Sequence, residues 1–213
     1  METINEKFAG IRKVIDQAYI DKGISYNAYR TLIDDLLKEE KSTGPSQSAS
    51  LTAYSKLNVV RMNRLDKTTE LLPALKDALL GLTSKQTWLV LTEGWCGDAA
   101  QIVPVFAKVA SFSNNIDLRF LLRDENPELM DQYLYKGRSK SIPELIALNE
   151  NNQEIFNWGP RPKEAQAMFE SLRDQQESYD SIKEKIHGWY AKDRTISTQK
   201  ELIELLINSQ EGQ

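Results

Sequence analysis

The 213-residue chain has one cysteine, Cys96, and one histidine, His187. A single cysteine cannot close an internal disulfide, so nothing points to an oxidising compartment. A lone cysteine and a lone histidine far along the chain supply neither a metal-ligand cluster nor an evident Cys-His nucleophile pair. No run of about 18 apolar residues occurs, which excludes a conventional spanning helix and leaves no membrane partner to expect. The opening METINEKFAGIRK mixes charges with apolar residues and lacks an h-region, so no signal peptide is read and a cytoplasmic location is expected. An excess of positive charge is missing too. The formal net charge of -4 argues against nucleic acid as a partner. No glycine-rich loop able to cradle phosphates is present, and no cofactor is expected.

What is present is enough for one sizeable core, with 40% hydrophobic residues. Apolar residues at Ile4, Phe8, Ile11, Val14, Ile15 and Ala18 predict an amphipathic helix over 4–20. Ser25 predicts the N-cap of a second helix carrying Tyr29, Leu32, Ile33, Leu36 and Leu37. KSTGPSQSAS, residues 41–50, reads as a linker. Two further helices are predicted over 51–65 and 71–80, the latter stopped at Gly81. Arg61, Arg64 and Lys67 lie three apart, a basic stripe or, as the plainer reading, a solvated helix face.

At Thr87 the pattern changes. TWLVLT and DLRFLL read as buried strands, separated by helical spacing over 99–110 (Ile102, Val105, Phe106, Val109). NPELMDQYLY predicts a helix with Pro127 in its first turn. PELIAL and QEIFNW, joined by NENN, predict a hairpin. A continuous helix is predicted from Pro162 to Tyr190, its apolar stripe expected to pack on the helices of 4–37. Thr198 with Glu201 resembles a capping box for a last helix. Residues of roughly 87–176 thus read β-α-β-α-β-β-α, parallel at the start and antiparallel at the end.

That order, with Trp-Cys-Gly at the end of the first strand, resembles the thioredoxin fold. In WCGDAAQIVP, Pro104 stands eight residues after Cys96, where thioredoxins carry the proline of the active-site helix. RDENPELM is similar to the Asp-x-Asn-Pro before their next helix, SIPELIAL to their Ile-Pro, and NWGPRP puts Gly159 at the end of the last strand. The resemblance implies an α/β, thioredoxin-like fold, a four-stranded mixed sheet with all-helical N- and C-terminal extensions. It divides the chain into an N-terminal helical extension (1–82), a core (83–176) and a C-terminal extension (177–213) packed on the same body. More narrowly, the chain resembles a bacterial thioredoxin-like branch with a WCGDA motif and flanks like RMNRLDK and WYAKD.

The resemblance makes Cys96 the candidate catalytic residue, with Trp95, Gly97, Asp98 and Ala99 around it. Ile142 and a cis Pro143 are implied opposite. Trp95, Ile142 and Trp158 are implied as groove walls, with Gly159 as a further wall and Arg161 either meeting an anionic ligand or anchoring its loop. Trp88 is assigned to the core. Two departures stand out: Ala99 occupies the place of the resolving cysteine, and Val90 that of a buried aspartate. Dithiol cycling is therefore closed to this chain. A thiol at a helix N-terminus gains from the dipole and free N–H groups, while Asp98 opposes its ionisation. Two readings follow. One is a monothiol redox protein exchanging with a thiol or disulfide substrate, glutathione being one candidate. The other is a non-catalytic module binding an extended protein segment in the cis-proline groove. Monomer and dimer are both open.

Overall fold

The computed structural model describes residues 13–211. Its centre is a four-stranded sheet of order β2-β1-β3-β4, built from β1 (Gln86–Thr92), β2 (Ile116–Leu122), β3 (Glu144–Leu148) and β4 (Glu154–Trp158). β1 runs parallel to β2 and antiparallel to β3, and β3 is antiparallel to β4. The mixed sheet expected from the sequence is thus the one observed. β1 and β3 are apolar without alternation because both of their faces are covered. Trp88 is wholly buried, its ring edge-on to Phe106 and Phe156.

Helices enclose the sheet. Along the chain they are α1 (Gln17–Lys22), α2 (Tyr26–Lys38), α3 (Ala49–Thr68), α4 (Pro73–Leu80), α5 (Gly97–Phe112) and α6 (Pro127–Met130). α7 (Lys163–Asp174), α8 (Tyr179–Asp193) and α9 (Ile196–Glu211) follow β4. Ser25 caps α2, its hydroxyl accepting from the Ala28 N–H at 3.2 Å. α3 packs on α5, α4 on α9, and α7 on α8. No helix among the described residues is long and apolar enough to cross a membrane.

Five local expectations need correction. The helix predicted over 4–20 is limited to Gln17–Lys22 in its described part; Ile4, Phe8 and Ile11 lie outside the described residues. Residues 13–15 are instead extended, because the edge of the β3–β4 hairpin offers them partners. The Ile15 N–H reaches the Asn152 carbonyl at 2.9 Å, and the Glu154 N–H reaches the Lys13 carbonyl at 2.8 Å. Ile24 makes the equivalent exchange with Phe120 on the opposite edge. Second, α1 and α2 lie on β2, with α2 also on α3, so they are not the main partners of the 165–189 stripe. Third, the helix expected from Pro162 to Tyr190 breaks between α7 and α8, where Gln176 adopts φ +57°. Fourth, α6 is a single turn, after which Tyr133 is drawn to Glu154 by a 2.7 Å hydrogen bond. Fifth, Thr198 and Glu201 form no capping box. α9 begins at Ile196, and Glu201 accepts instead from the Trp158 indole and the Lys163 N–H, each at 2.7 Å.

The 41–50 stretch is irregular as far as Ser48, where α3 is capped, but it is not a loose tether. Ser42 and Thr43 are 2% exposed, and both hydroxyls bond inward.

Candidate functional site around Cys96

Strand β1 delivers the chain to the end of the sheet, where Glu93 and Gly94 lead into Trp95 and Cys96. Cys96 is the N-cap residue of α5, with φ -76° and ψ 117°. Its Sγ accepts from the Ala99 N–H at 3.4 Å and donates to the Ile142 carbonyl at 3.3 Å. Ala99 itself is buried behind the thiol. The Ile142–Pro143 bond is cis, and Ile142 lines the cleft beside the sulfur that its carbonyl contacts. With only 8% of Cys96 exposed, burial pushes its thiol up to about 12. The Asp98 carboxylate raises it further, while the Ala99 N–H and Arg161 act in the opposite direction.

Asp98 is held from two sides. Its Oδ2 meets Arg161 Nη2 at 2.7 Å, and its Oδ1 accepts from the Tyr190 hydroxyl at 2.9 Å. Arg161 also donates to Gln166 at 2.9 Å and lies 4.1 Å from the Phe169 ring centre. Its charge is therefore matched by Asp98 within the protein, and its side chain also lines the cleft.

Glu93, at the other end of the motif, is fully buried. The Thr43 hydroxyl donates to it, the Asp124 N–H donates at 3.0 Å, and the same hydroxyl accepts from the Gly94 N–H at 2.8 Å. The neighbouring Arg123 is paired with Asp124 rather than with Glu93. Burial raises the Glu93 carboxyl to about 7.

A cleft of about 560 Å³ opens in front of the thiol. Trp95, Cys96, Gly97, Asp98, Ile142 and Arg161 line it, so the structure brings those candidates together. Trp95 lies with its ring 4.8 Å from the Arg123 guanidinium. Ala99, Pro143, Trp158 and Gly159 are not among its walls. Trp158 is the clear departure from expectation: Glu201 on α9 takes its indole N–H, and Phe106 packs against its ring. It borders a separate hollow with Gly159. Gly159 is needed for close approach, since a Cβ there would stand 2.3 Å from the Pro143 carbonyl oxygen.

Three cleft residues were not legible as site residues. Asn58 and Arg61 come from α3, and His187 from α8. The buried Asn58 amide donates to the Gly94 carbonyl at 3.0 Å and so fixes the turn before Cys96. A Cβ on Gly97 would lie 2.7 Å from His187 Nε2, so the histidine packs directly against the helix start. Burial and the charges of Arg61, Arg161 and Lys183 lower His187 to about 4, keeping it neutral. The sequence signals were slight: Arg61 was one of three regularly spaced cations, His187 the sole histidine, and Asn58 a polar residue on a helix.

The sequence profile of a family described as Thioredoxin matches residues 44–179. This chain belongs to the thioredoxin family. Two crystal structures resemble it along most of its length. One is a protein of unknown function from Pseudomonas aeruginosa, at 15% identity and TM-score 0.61, covering 92% of this chain and 99% of the other. The second is an HIV epitope-scaffold, at 17% identity and TM-score 0.56, covering 92% and 98%. Both likenesses concern the fold, and they extend it into the helical arms beyond the profile. Among curated proteins no match is found. In this thioredoxin-family chain the single cysteine sits at the start of α5 with no second thiol to resolve a mixed disulfide.

Proposed function

We propose that this thioredoxin-family protein is a binding module, with its ligand held in the walled cleft in front of Cys96. The observation that carries this reading is the state of the thiol. Cys96 is nearly covered, and its Sγ is used as a donor to the Ile142 carbonyl, so the resting protein offers almost no thiolate. Helices α3 and α8 also rise on either side of the cleft, through Leu51 and Tyr54 from one and Ile182 and Ile186 from the other. A compact ligand suits such a space better than a long strand.

A second reading, monothiol exchange, is favoured by one feature. The sulfur stands at a helix N-terminus with the Ala99 N–H directed at it. Were Ile142 to withdraw, that thiol would be able to attack a disulfide, and an external thiol would have to release the product. Alkylation by iodoacetamide across a pH series separates the two readings. The binding module predicts a slow reaction whose midpoint lies well above that of a free thiol, near 8.5. A midpoint at or below that value, together with a reversible glutathione adduct, would establish the exchange reading in its place. Cys96→Ser should leave ligand binding intact only if the first reading is right.

A further inference from the structure

The cations around the cleft are not equivalent. Arg123 is paired with Asp124 at 2.8 Å, Lys140 with Asp131 at 2.6 Å, Arg161 with Asp98 at 2.7 Å and Lys183 with Asp180 at 2.6 Å. Arg61 differs from all four. Among the described residues no carboxylate lies within ion-pair distance of it, and its hydrogen bond is to a neutral group, Asn58 Oδ1, at 2.8 Å. It is also half-buried, whereas Arg64 and Lys67 farther along α3 are exposed. The basic stripe of the sequence is thus split, with one member turned into the cleft. Burial and the repulsion of Arg64 both disfavour the Arg61 charge, and Asp98 only partly offsets them. A cation taken partly out of water without a counter-charge is a cost that an anionic ligand would remove.

The groups beside Arg61 fit the same ligand. A Cβ on Gly97 would lie 3.7 Å from Arg61 Nη1 and 2.7 Å from His187 Nε2, so both side chains flank the bare start of α5. The Gln101 amide nitrogen is 3.2 Å from His187 Nδ1. With that amide donating, Nδ1 accepts and the proton resides on Nε2, which is the ring nitrogen facing Gly97. His187 therefore brings a donor without adding charge, and the walls beyond it on α3 and α8 present Leu51, Tyr54, Ile182 and Ile186, with Lys183 and Glu184 among them.

Resting on the reading of this cleft as a binding site, we infer that its ligand carries an anionic group, a carboxylate, sulfonate or phosphate, held by Arg61 and the His187 Nε2–H. The remainder of that ligand is apolar and lies along α3 and α8. Arg61 sets the class of ligand, and Cys96 forms part of the floor beneath it.

Two fluorescent probes with the same aromatic body test this on the full chain. 8-Anilinonaphthalene-1-sulfonate carries a sulfonate, and N-phenyl-1-naphthylamine lacks it. The inference expects both to bind, the sulfonate more tightly. Arg61→Met should weaken the sulfonate by about tenfold or more, the loss expected for a charge-assisted hydrogen bond, and should leave the neutral probe within about twofold. Arg61→Gln, which keeps a donor for Asn58, repeats the measurement should Arg61→Met melt early. Equal weakening of both probes, or none of either, would overturn the role of Arg61 while leaving the cleft as a binding site. Failure of both probes to bind the unaltered protein would overturn the cleft reading itself, and this inference with it.

Discussion

Two carboxylates stand on either side of the thiol, Glu93 fully buried and Asp98 largely covered, and the protein treats them in opposite ways. Asp98 follows Cys96 and is matched by the largely covered guanidinium of Arg161. Glu93 precedes it and receives only neutral donors, the Thr43 hydroxyl and the Asp124 N–H. A carboxylate without a counter-charge escapes the cost of burial by taking a proton, which is why Glu93 is pushed to about 7. One end of the motif is thus tied by charge. The other is tied by a network that retains or loses a proton near neutrality.

The contrast predicts unequal responses. Asp98→Asn should be the most damaging change, because it leaves Arg161 largely covered without its partner. A loss of about 3–5 kcal/mol is expected in urea unfolding, as for other broken buried pairs. Glu93→Gln should instead alter the pH profile. With its folded value raised, Glu93 contributes stability that is fully present below the ordinary carboxylate value of 4.5 and is lost as pH rises through about 7. Its share of the change is at most about 3 kcal/mol, and the glutamine variant should lack it. His187, lowered from 6.5 to about 4, acts in the opposite sense across that interval. The readout is therefore the difference between unaltered protein and Glu93→Gln, measured by thermal melts at pH 5 and pH 8. A flat difference would mean that Glu93 stays charged.

Thr43→Val sharpens the same comparison from the linker side. It removes the donor to Glu93 and the acceptor of the Gly94 N–H together, at an expected cost of about 1–3 kcal/mol. Amide exchange at Gly94 should accelerate along with the fall in stability. Tyr190→Phe should have the smallest effect, about 1 kcal/mol by chemical denaturation, since Arg161 continues to hold Asp98.

The parts of this molecule legible in its sequence are those encoded by neighbours in the chain. The unbroken apolar run of β1, the hairpin of β3 and β4, the Ser25 cap and the start of α5 at Cys96 all depend on local pattern. So did the thioredoxin fold, through motifs spread over the core. Docking was not encoded that way. The spacing of α8 gave its apolar stripe but not the fact that His187 would rest on Gly97. Arg61 had the same sequence signature as the exposed Arg64, and only the approach of α3 to α5 separates them. Trp158 was assigned to the groove because the competing attraction, Glu201 on α9, lies 43 positions away. The break after α7 occurs at Gln176 without glycine or proline, so no residue type announced it.

The extended residues at the N-terminal end have a consequence for how the chain is made. Lys13–Ile15 pair beside the β3–β4 hairpin, and Ile24 pairs with Phe120 on the far edge of the sheet. These residues are synthesised well before their partners, which emerge only with Phe120 and then Gln153. The segment must therefore wait, unpaired, while most of the protein is translated, and it closes the two sides of the sheet in that order. Pairing at both edges of the sheet therefore depends on contacts far apart in the chain, the kind that form slowly.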